Sequence, residues 1–501
     1  MFPEKKLYIC TQQNIKFASM GTFNGIIGRQ REIALLQEIY ESPRAEFVAV
    51  YGRRRIGKTY LIDKFFGDKY DFYMTGIYEG TRKEQLANFA HQLEFYSHKE
   101  QKTPKDWMEA LFMLRKYLET LKKGKPVLLF FDEMPWLDTR YSRFLKAFEL
   151  FWNEWASKQD NLKLIVCGSA TTWMTNTLLG NKGGLHNRVT RSIYLRPFNL
   201  AETEEFLISR GFSMERFQIA ELYMAIGGTP FYLNMLNRSL SVAQNIDELF
   251  FSSSAPLRSE YGFLFKSLFK ESTLYRRVVE ALAKKLKGMT RPELIEELKV
   301  EDSGYVSTVL SDLCNCDFIR KYSAFGKTDR DFMYQLTDLY SLFYLKYVKN
   351  YHGEDEHYWS HRQMDISSWE GYAFEQVCLH HVPQIKRKLG IGGILSNICT
   401  WSCRAFTDAE GNKQLGAQID LIIDRGDKTI NLCEMKFVNH PYSITPDYAA
   451  WLIKRRELFK QATGTKKTLH LTMITSYGVE HNAGWQNIQN EVVLDDLFKV
   501  E

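Results

Sequence analysis

Eight consecutive residues, Gly52-Arg53-Arg54-Arg55-Ile56-Gly57-Lys58-Thr59, carry the spacing G-x-x-x-x-G-K-[ST] of a phosphate-binding loop. The chemistry this spacing permits is the cradling of a polyphosphate. Gly52 and Gly57 allow backbone angles that other residues avoid. N–H groups at the start of the following helix face the anion, helped by the helix dipole. Lys58 reaches the β- and γ-phosphates, and the Thr59 hydroxyl takes a place on Mg²⁺. A carboxylate pair supplies the hydrolytic half. Asp132 is expected to hold Mg²⁺ through a water alongside Thr59, and Glu133 to orient or deprotonate the attacking water. The plainer readings are a glycine turn matched by chance and an Asp-Glu pair that caps a helix.

Two further groups belong to the same chemistry. Ser169, after an apolar run ending in Cys167-Gly168, can sense the γ-phosphate or the lytic water, or be a simple turn serine. Arg188 and Arg191 lie on the stretch Gly183-Gly184-Leu185-His186-Asn187-Arg188-Val189-Thr190-Arg191. Either could serve as an arginine finger, in cis or from a neighbouring subunit, or be part of a solvated basic loop.

A second constellation lies far downstream. Asp420 sits in the strand-like Gln418–Asp424, and the turn Arg425-Gly426-Asp427-Lys428 leads to a second strand holding Glu434 and Lys436. Residues two apart on a strand share a face, and the turn length suits an antiparallel hairpin that brings Asp420 beside Glu434. Glu375 lies among the apolar residues of an upstream helix, Trp369 to Leu379. Clustered carboxylates suit a hard cation, Mg²⁺ or Mn²⁺, and an adjacent lysine can position water or stabilise a phosphorane-like transition state. This Asp…Glu-x-Lys pattern is the signature of the PD-(D/E)XK nuclease fold; a salt-bridged hairpin is the competing reading.

The elements that must position these groups follow from the apolar runs. Phe47–Tyr51, Val127–Phe131 and Leu162–Cys167 have the length and composition of parallel strands buried on both faces, so the groups at their carboxyl ends lie where ligands of open α/β sheets bind. Residues 200–265 read as helical, broken at Gly227-Gly228-Thr229-Pro230, and as a lid near the phosphates. Three helical segments then precede a hairpin with the polar turn Gly326-Lys327-Thr328-Asp329, the order of a winged helix-turn-helix. Charge restrains a DNA-reading role for it. Residues 266–350 hold 15 basic and 12 acidic residues, and the would-be recognition helix, Tyr305 to Cys314, has no basic residue but contains Asp312. A structural or interdomain role therefore stands slightly ahead.

At 501 residues the chain is too long for a single core. Its formal charge of +6 is compatible with nucleic acid without arguing for it. Residues 351–501 are net acidic, with 16 basic and 19 acidic residues, so a basic face built from Lys386-Arg387-Lys388, Lys454-Arg455-Arg456 and Lys466-Lys467 would be local. Eight scattered cysteines without paired zinc spacing read as buried thiols in a reducing compartment. No apolar stretch approaches the ~20 residues of a membrane span, and Met1 to Met20 lacks the apolar segment of a signal peptide. A cytoplasmic protein with no membrane partner is the expectation.

Ile27-Gly28-Arg29-Gln30-Arg31-Glu32, the phosphate-binding loop with Tyr51, Phe131-Asp132-Glu133, Gly168-Ser169 and Gly227-Gly228-Thr229-Pro230 together resemble the prokaryotic "archaeal ATPase" family, within the STAND branch of AAA+-like NTPases. The resemblance covers most of the chain from about residue 21. It implies an α/β fold: a P-loop NTPase parallel sheet with a helical lid, a winged helix-turn-helix and a C-terminal restriction-endonuclease-like domain. The corresponding boundaries are an extension at 1–20, the core at 21–199, the lid at 200–265, the winged helix at 266–350 and the nuclease-like domain at 351–501. It implies ATP and Mg²⁺ as cofactors, with Mn²⁺ as an alternative in the last domain. The nucleotide-binding set is Gly52 through Tyr60 with Gly28 and Arg29, the latter two beside the base and ribose. Lys58, Glu133 and Ser169 are implied to act in hydrolysis, with Thr59 and Asp132 on the metal. Glu375, Asp420, Glu434 and Lys436 match the nuclease-like pattern, although no literal Pro-Asp precedes the cluster. DNA and a second copy of the chain are the partners this reading entertains. The expected function is an ATP-hydrolysing switch controlling a metal-dependent, nuclease-like domain; the alternative is a regulatory ATPase whose last domain binds DNA or protein without cutting.

Overall fold

The computed structural model describes residues 25–500 apart from 68, 122–123, 181–184, 186, 270, 327–331, 363–365, 408–412 and 415. The extension at 1–20, Gly183, Gly184 and His186 of the arginine stretch, and Lys327-Thr328-Asp329 of the hairpin turn lie outside the described residues.

The first unit runs α1 (Gln30–Glu41), β1 (Glu46–Tyr51), α2 (Lys58–Phe66), β2 (Phe72–Thr75), α3 (Arg82–Ser97), α4 (Trp107–Leu118), β3 (Val127–Asp132), α5 (Phe144–Glu154), β4 (Leu162–Gly168) and β5 (Arg191–Tyr194). The five strands form one parallel sheet in the order β2-β3-β4-β1-β5. Every residue of β3 and β4 is buried, as expected for central strands covered on both faces. The strand period of two divides their side chains cleanly. Phe47, Ala49, Leu129 and Phe131 pack with Phe89, Trp107 and Phe148 of α3, α4 and α5 on one face. Val48, Val50, Leu128 and Phe130 pack with Leu36, Ile39, Leu61 and Ile62 of α1 and α2 on the other. The phosphate-binding loop bridges β1 and α2, at the carboxyl end of the sheet.

A helical stretch follows: α6 (Leu200–Ser209), α7 (Arg216–Ile226), α8 (Pro230–Leu233), α9 (Val242–Phe250) and α10 (Pro256–Leu268). Gly228 fixes this stretch to the sheet. The Phe198 N–H donates to Gly228 O, and a Cβ on Gly228 would lie 1.8 Å from Phe198 O, so only glycine allows the two backbones to meet there.

Next come α11 (Ser272–Lys284), β6 (Met289–Thr290), α12 (Arg291–Leu298), α13 (Gly304–Asn315), β7 (Ile319–Ser323) and β8 (Phe332–Leu336), with an antiparallel sheet in the order β6-β8-β7, and then α14 (Leu339–Phe343). The last unit holds α15 (Ser367–His380), α16 (Val382–Lys388), β9 (Ser396–Cys403), β10 (Phe406–Thr407), β11 (Lys413–Gln414), β12 (Ala417–Arg425), β13 (Thr429–Lys436), α17 (Pro446–Thr463), β14 (Thr468–Thr475), β15 (Asn490–Val493) and α18 (Leu494–Leu497). Its five-stranded sheet is mixed: β9, β12 and β13 are antiparallel neighbours, whereas β14 and β15 continue parallel to β13.

The polar stretch from Asn350 to Glu356 does not separate two cores. One apolar cluster runs from Phe198 through α13 to α15, β13 and Phe498. Beyond the stretch, the Trp359 N–H donates to the buried Asp247 of α9 at 2.7 Å, and the Trp359 and Trp369 rings pack on Phe343. The seven described cysteines are free. Among the described residues, no helix is long and apolar enough to cross a membrane.

Candidate nucleotide site and a distal carboxylate cluster

The loop between β1 and α2 has the backbone its glycines anticipated. Gly52 and Gly57 have φ of 145° and 85°, and a Cβ on Gly52 would lie 2.2 Å from Leu195 O. Arg55 also has positive φ, 72°, a conformation a non-glycine residue adopts at a cost. Lys58 is buried, and its ammonium donates to Gly52 O (3.0 Å), Arg53 O (2.9 Å) and Ser169 Oγ (3.0 Å). Ser169 in turn donates to Glu133 through both its backbone N–H and its hydroxyl. A continuous chain therefore joins Lys58, Ser169 and Glu133. Glu133 has φ of 46°, which turns its carboxylate off the end of β3 toward Ser169.

Thr59 Oγ1 donates to Asp132 Oδ2 at 2.9 Å. Burial, together with the neighbouring Glu133, raises the Asp132 carboxyl above its ordinary pKa, against the Thr59 hydrogen bond. A hydroxyl and a buried, charge-uncompensated carboxylate are a donor set that fits Mg²⁺. Thr59 and Asp132 would hold it, and bound there it would neutralise phosphate charge.

The other loop residues divide by direction. Arg54 is exposed. Ile56 is buried under β5. The exposed Tyr60 donates to Gly25 O. Gly28 and Arg29 face α6: their N–H groups donate to Glu205 and Glu202 of that helix, and the Arg29 guanidinium lies 4.5 Å from the Phe198 ring centre and donates to Ile56 O. They join the helical region to the phosphate loop.

The arginine finger requires a correction. Thr190 is anchored at the start of β1, donating to Phe47 O, and Arg191 opens β5 opposite Val48. Arg191 thus lies four residues, about 13 Å, along β1 from Gly52, and Arg188 comes before Thr190, which is held still further back at Phe47. An action in cis is closed to Arg188 and Arg191 in this arrangement. The parallel pairing of β5 with β1, which fixes this, has no signature in the arginine stretch itself.

The distal residues converge, and one of the three carboxylates is taken up by basic side chains. Leu421 lies opposite Cys433 in the β12–β13 hairpin, so Asp420 and Glu434 come next to each other as the spacing anticipated. Burial raises the Glu375 carboxyl to about 8, with Asp420 and Glu434 adding to it. Burial likewise raises Asp420, which accepts from the Gln418 amide. Glu434 is already occupied: Oε1 accepts from Lys436 (2.9 Å) and the Tyr448 hydroxyl (2.6 Å), and Oε2 from Arg455 (2.7 Å). Burial works against its charge, yet Arg455 and Lys436 outweigh it and leave the carboxyl below its ordinary pKa. Among the described residues, no group of three or more His, Cys, Asp or Glu side chains is disposed to hold a metal ion. The expected metal ligation by Glu375, Asp420 and Glu434 is therefore not formed in this conformation. Glu434 is held by Arg455, which sequence reasoning assigned to a basic surface cluster.

The three-stranded module reaches both sites. Tyr194, at the end of β5, donates to Asp317 and to Asn315 O, and the buried Asp312 of α13 bonds the Tyr275 hydroxyl. On the next strand Arg320 donates to Gln335, and burial lowers its pKa against the charges of nearby groups that include Asp420 and Glu375. Phe325 donates its N–H to Thr400 O of β9 and packs on Phe459 of α17.

The family described as "ATPase domain predominantly from Archaea" matches residues 26–236. Two proteins of Methanocaldococcus jannaschii are similar in sequence. One, named uncharacterized protein MJECL04, is 25% identical over 417 residues, covering 82% of this chain and 87% of that one. The other, named uncharacterized ATP-binding protein MJ0423, is 40% identical over 43 residues, covering 9% of this chain and 73% of that one. Among solved structures, the Walker-type ATPase PABY2304 of Pyrococcus abyssi aligns with a TM-score of 0.47 at 17% identity, covering 65% of this chain and 97% of that one. With the loop, Lys58 and the Asp132-Glu133 pair assembled at the end of a parallel sheet, residues 26–236 form a P-loop ATPase domain of the family found predominantly in Archaea.

Proposed function

We propose that the chain is an ATP-hydrolysing switch whose C-terminal unit is a nuclease-like output acting on DNA. The chain of contacts from Lys58 through Ser169 to Glu133 carries the ATPase half of this reading. ATP phosphates would draw Lys58 from the loop carbonyls onto the β- and γ-oxygens. Ser169 would then be shared between the γ-phosphate and Glu133. Glu133 accepts a proton from the attacking water as its oxygen bonds the γ-phosphorus, and the bond to the bridging oxygen breaks to leave ADP and phosphate. With Arg188 and Arg191 set back from the loop along β1, an arginine finger would come from a second copy.

The position of β7 supports the output half, because it leads from Asp317 beside Tyr194 to Phe325, which bonds Thr400 of β9 and packs on Phe459 of α17. The winged-helix reading of this module fits an interdomain role better than DNA reading, since α13 spends Asp312 and its carboxyl end on packing. A cation at the distal cluster would have to share Glu434 with Arg455 and Lys436. One observation favours the second reading, a regulatory ATPase whose last unit binds without cutting: Glu434 is already paired with two cations, Arg455 and Lys436. The test is incubation with plasmid DNA and Mg²⁺ or Mn²⁺, with and without ATP. Cleavage abolished by Asp420→Ala and by Lys436→Ala supports the nuclease. No cleavage in any condition, with ATP turnover intact, overturns it in favour of the second reading.

A further inference from the structure

Two of the three arginines in the phosphate loop are paired with acids from distant elements. Arg53 is 3% exposed and forms a 2.5 Å ion pair with Asp338, a residue 285 positions later that caps α14 through Ser341 N–H. Its guanidinium also lies 4.8 Å from the ring centre of Phe318, next to β7. Arg55, on the strained left-handed turn of the loop, pairs with Glu260 of α10 at 2.6 Å and stacks 4.2 Å from the ring centre of Phe231. Glu260 is 3% exposed and held on its other oxygen by the Tyr232 hydroxyl. Each acid is thus also held outside the loop, Asp338 at the start of α14 and Glu260 by Tyr232 of α8. The loop backbone that must present its N–H groups to phosphate is therefore gripped from outside at two of its variable positions.

We propose that Asp338 and Glu260 are positioning residues for nucleotide: acting through Arg53 and Arg55, they form an acidic clamp that holds the phosphate loop in its anion-receptive shape, so nucleotide affinity depends on docking of the lid and the three-stranded module. This rests on nucleotide binding at Gly52–Thr59. An unclamped Arg55 has no reason to keep a positive φ, and the loop then spends binding free energy on reordering itself. Linkage makes the effect reciprocal, so bound nucleotide tightens the docking of α10 and α14 by the same factor.

The test uses the full chain and a fluorescent ADP analogue, with thermal unfolding as the check on folding. Asp338→Asn and Glu260→Gln each weaken binding about tenfold or more, the scale of a typical coupling, and Asp338→Glu stays near the parent. Because Asp338→Asn strands a buried guanidinium, the paired variant Arg53→Met with Asp338→Asn removes both charges; it still binds weakly under this proposal. Hydrogen exchange adds a readout that mere packing does not move. ADP slows exchange across residues 332–343 in the parent and not in Glu260→Gln or the paired variant. Parent-like affinity in both Glu260→Gln and the paired variant, while Lys58→Ala abolishes binding, overturns the clamp alone. Parent-like binding by Lys58→Ala overturns the nucleotide site on which it rests.

Discussion

Arg455→Met isolates the interaction that reshapes the distal cluster. Arg455 is 4% exposed; its guanidinium pairs with Glu434 at 2.7 Å, donates to Gln418 O at 3.1 Å and sits 4.3 Å from the Trp451 ring centre. Methionine approximates the length of the stem and removes the charge. Glu434 then keeps only Lys436 and the Tyr448 hydroxyl in a buried setting. Breaking one partner of a buried pair costs about 3–5 kcal/mol because the remaining charge is stranded. Since Lys436 still offsets part of it, the lower end, about 3 kcal/mol, is expected. Denaturant unfolding followed by tryptophan emission reads the loss, and a cycle with Glu434→Gln isolates the pair. Removing both charges should recover at least about 1.5 kcal/mol of the single-variant loss. Additive losses, with a coupling below about 0.5 kcal/mol, would refute the claim that Arg455 occupies Glu434.

Three other perturbations probe separate parts of the molecule. His381, fully buried, accepts the Leu200 N–H on Nε2 and donates Nδ1–H to Val377 O; burial depresses its pKa to about 4. Its neutral form is thus favoured on folding, so this stability is fully present above the unfolded value near 6.5 and is lost as pH falls from there toward 4. The parent should lose about 3 kcal/mol more than His381→Gln over that window, and parallel pH–stability curves would contradict it. Gly228→Ala drives a Cβ into Phe198 O and should cost more than about 3 kcal/mol or block folding, whereas Gly262→Ala, with open space around it in α10, should be neutral or gain up to ~1 kcal/mol in thermal unfolding; equal effects would be inconsistent with the backbone contact. Ser169→Ala removes the group joining Lys58 to Glu133, so kcat for ATP should fall roughly 10²-fold with nucleotide affinity within a few-fold of the parent; unchanged kcat would remove Ser169 from the mechanism.

What the residue order revealed, and what it hid, divides along local and non-local lines. The glycines of the loop, the buried five-residue runs and the carboxylates at their ends are local signals, and each strand they implied formed in place. Strand β2 was missed because Phe72–Thr75 is only four residues long and takes its identity from pairing with β3. Arg455 was misread because Lys454-Arg455-Arg456 looks like one basic patch. On a helix, however, Tyr448, Leu452, Arg455 and Phe459 recur at three- to four-residue spacing, which turns Arg455 inward with the apolar face while Lys454 stays exposed. The anchoring of Arg53 and Arg55 was invisible for a different reason. Their partners, Asp338 and Glu260, are ordinary acidic residues whose meaning appears only when distant elements dock.

The central claim is that triphosphate chemistry occurs on the loop from Gly52 to Thr59. The most direct measurement is nucleotide binding and ATP turnover by purified Lys58→Ala, compared with the parent under the same Mg²⁺ conditions. Loss of ATP affinity together with loss of phosphate release is the predicted result. A Lys58→Ala protein that binds and hydrolyses ATP like the parent would contradict it.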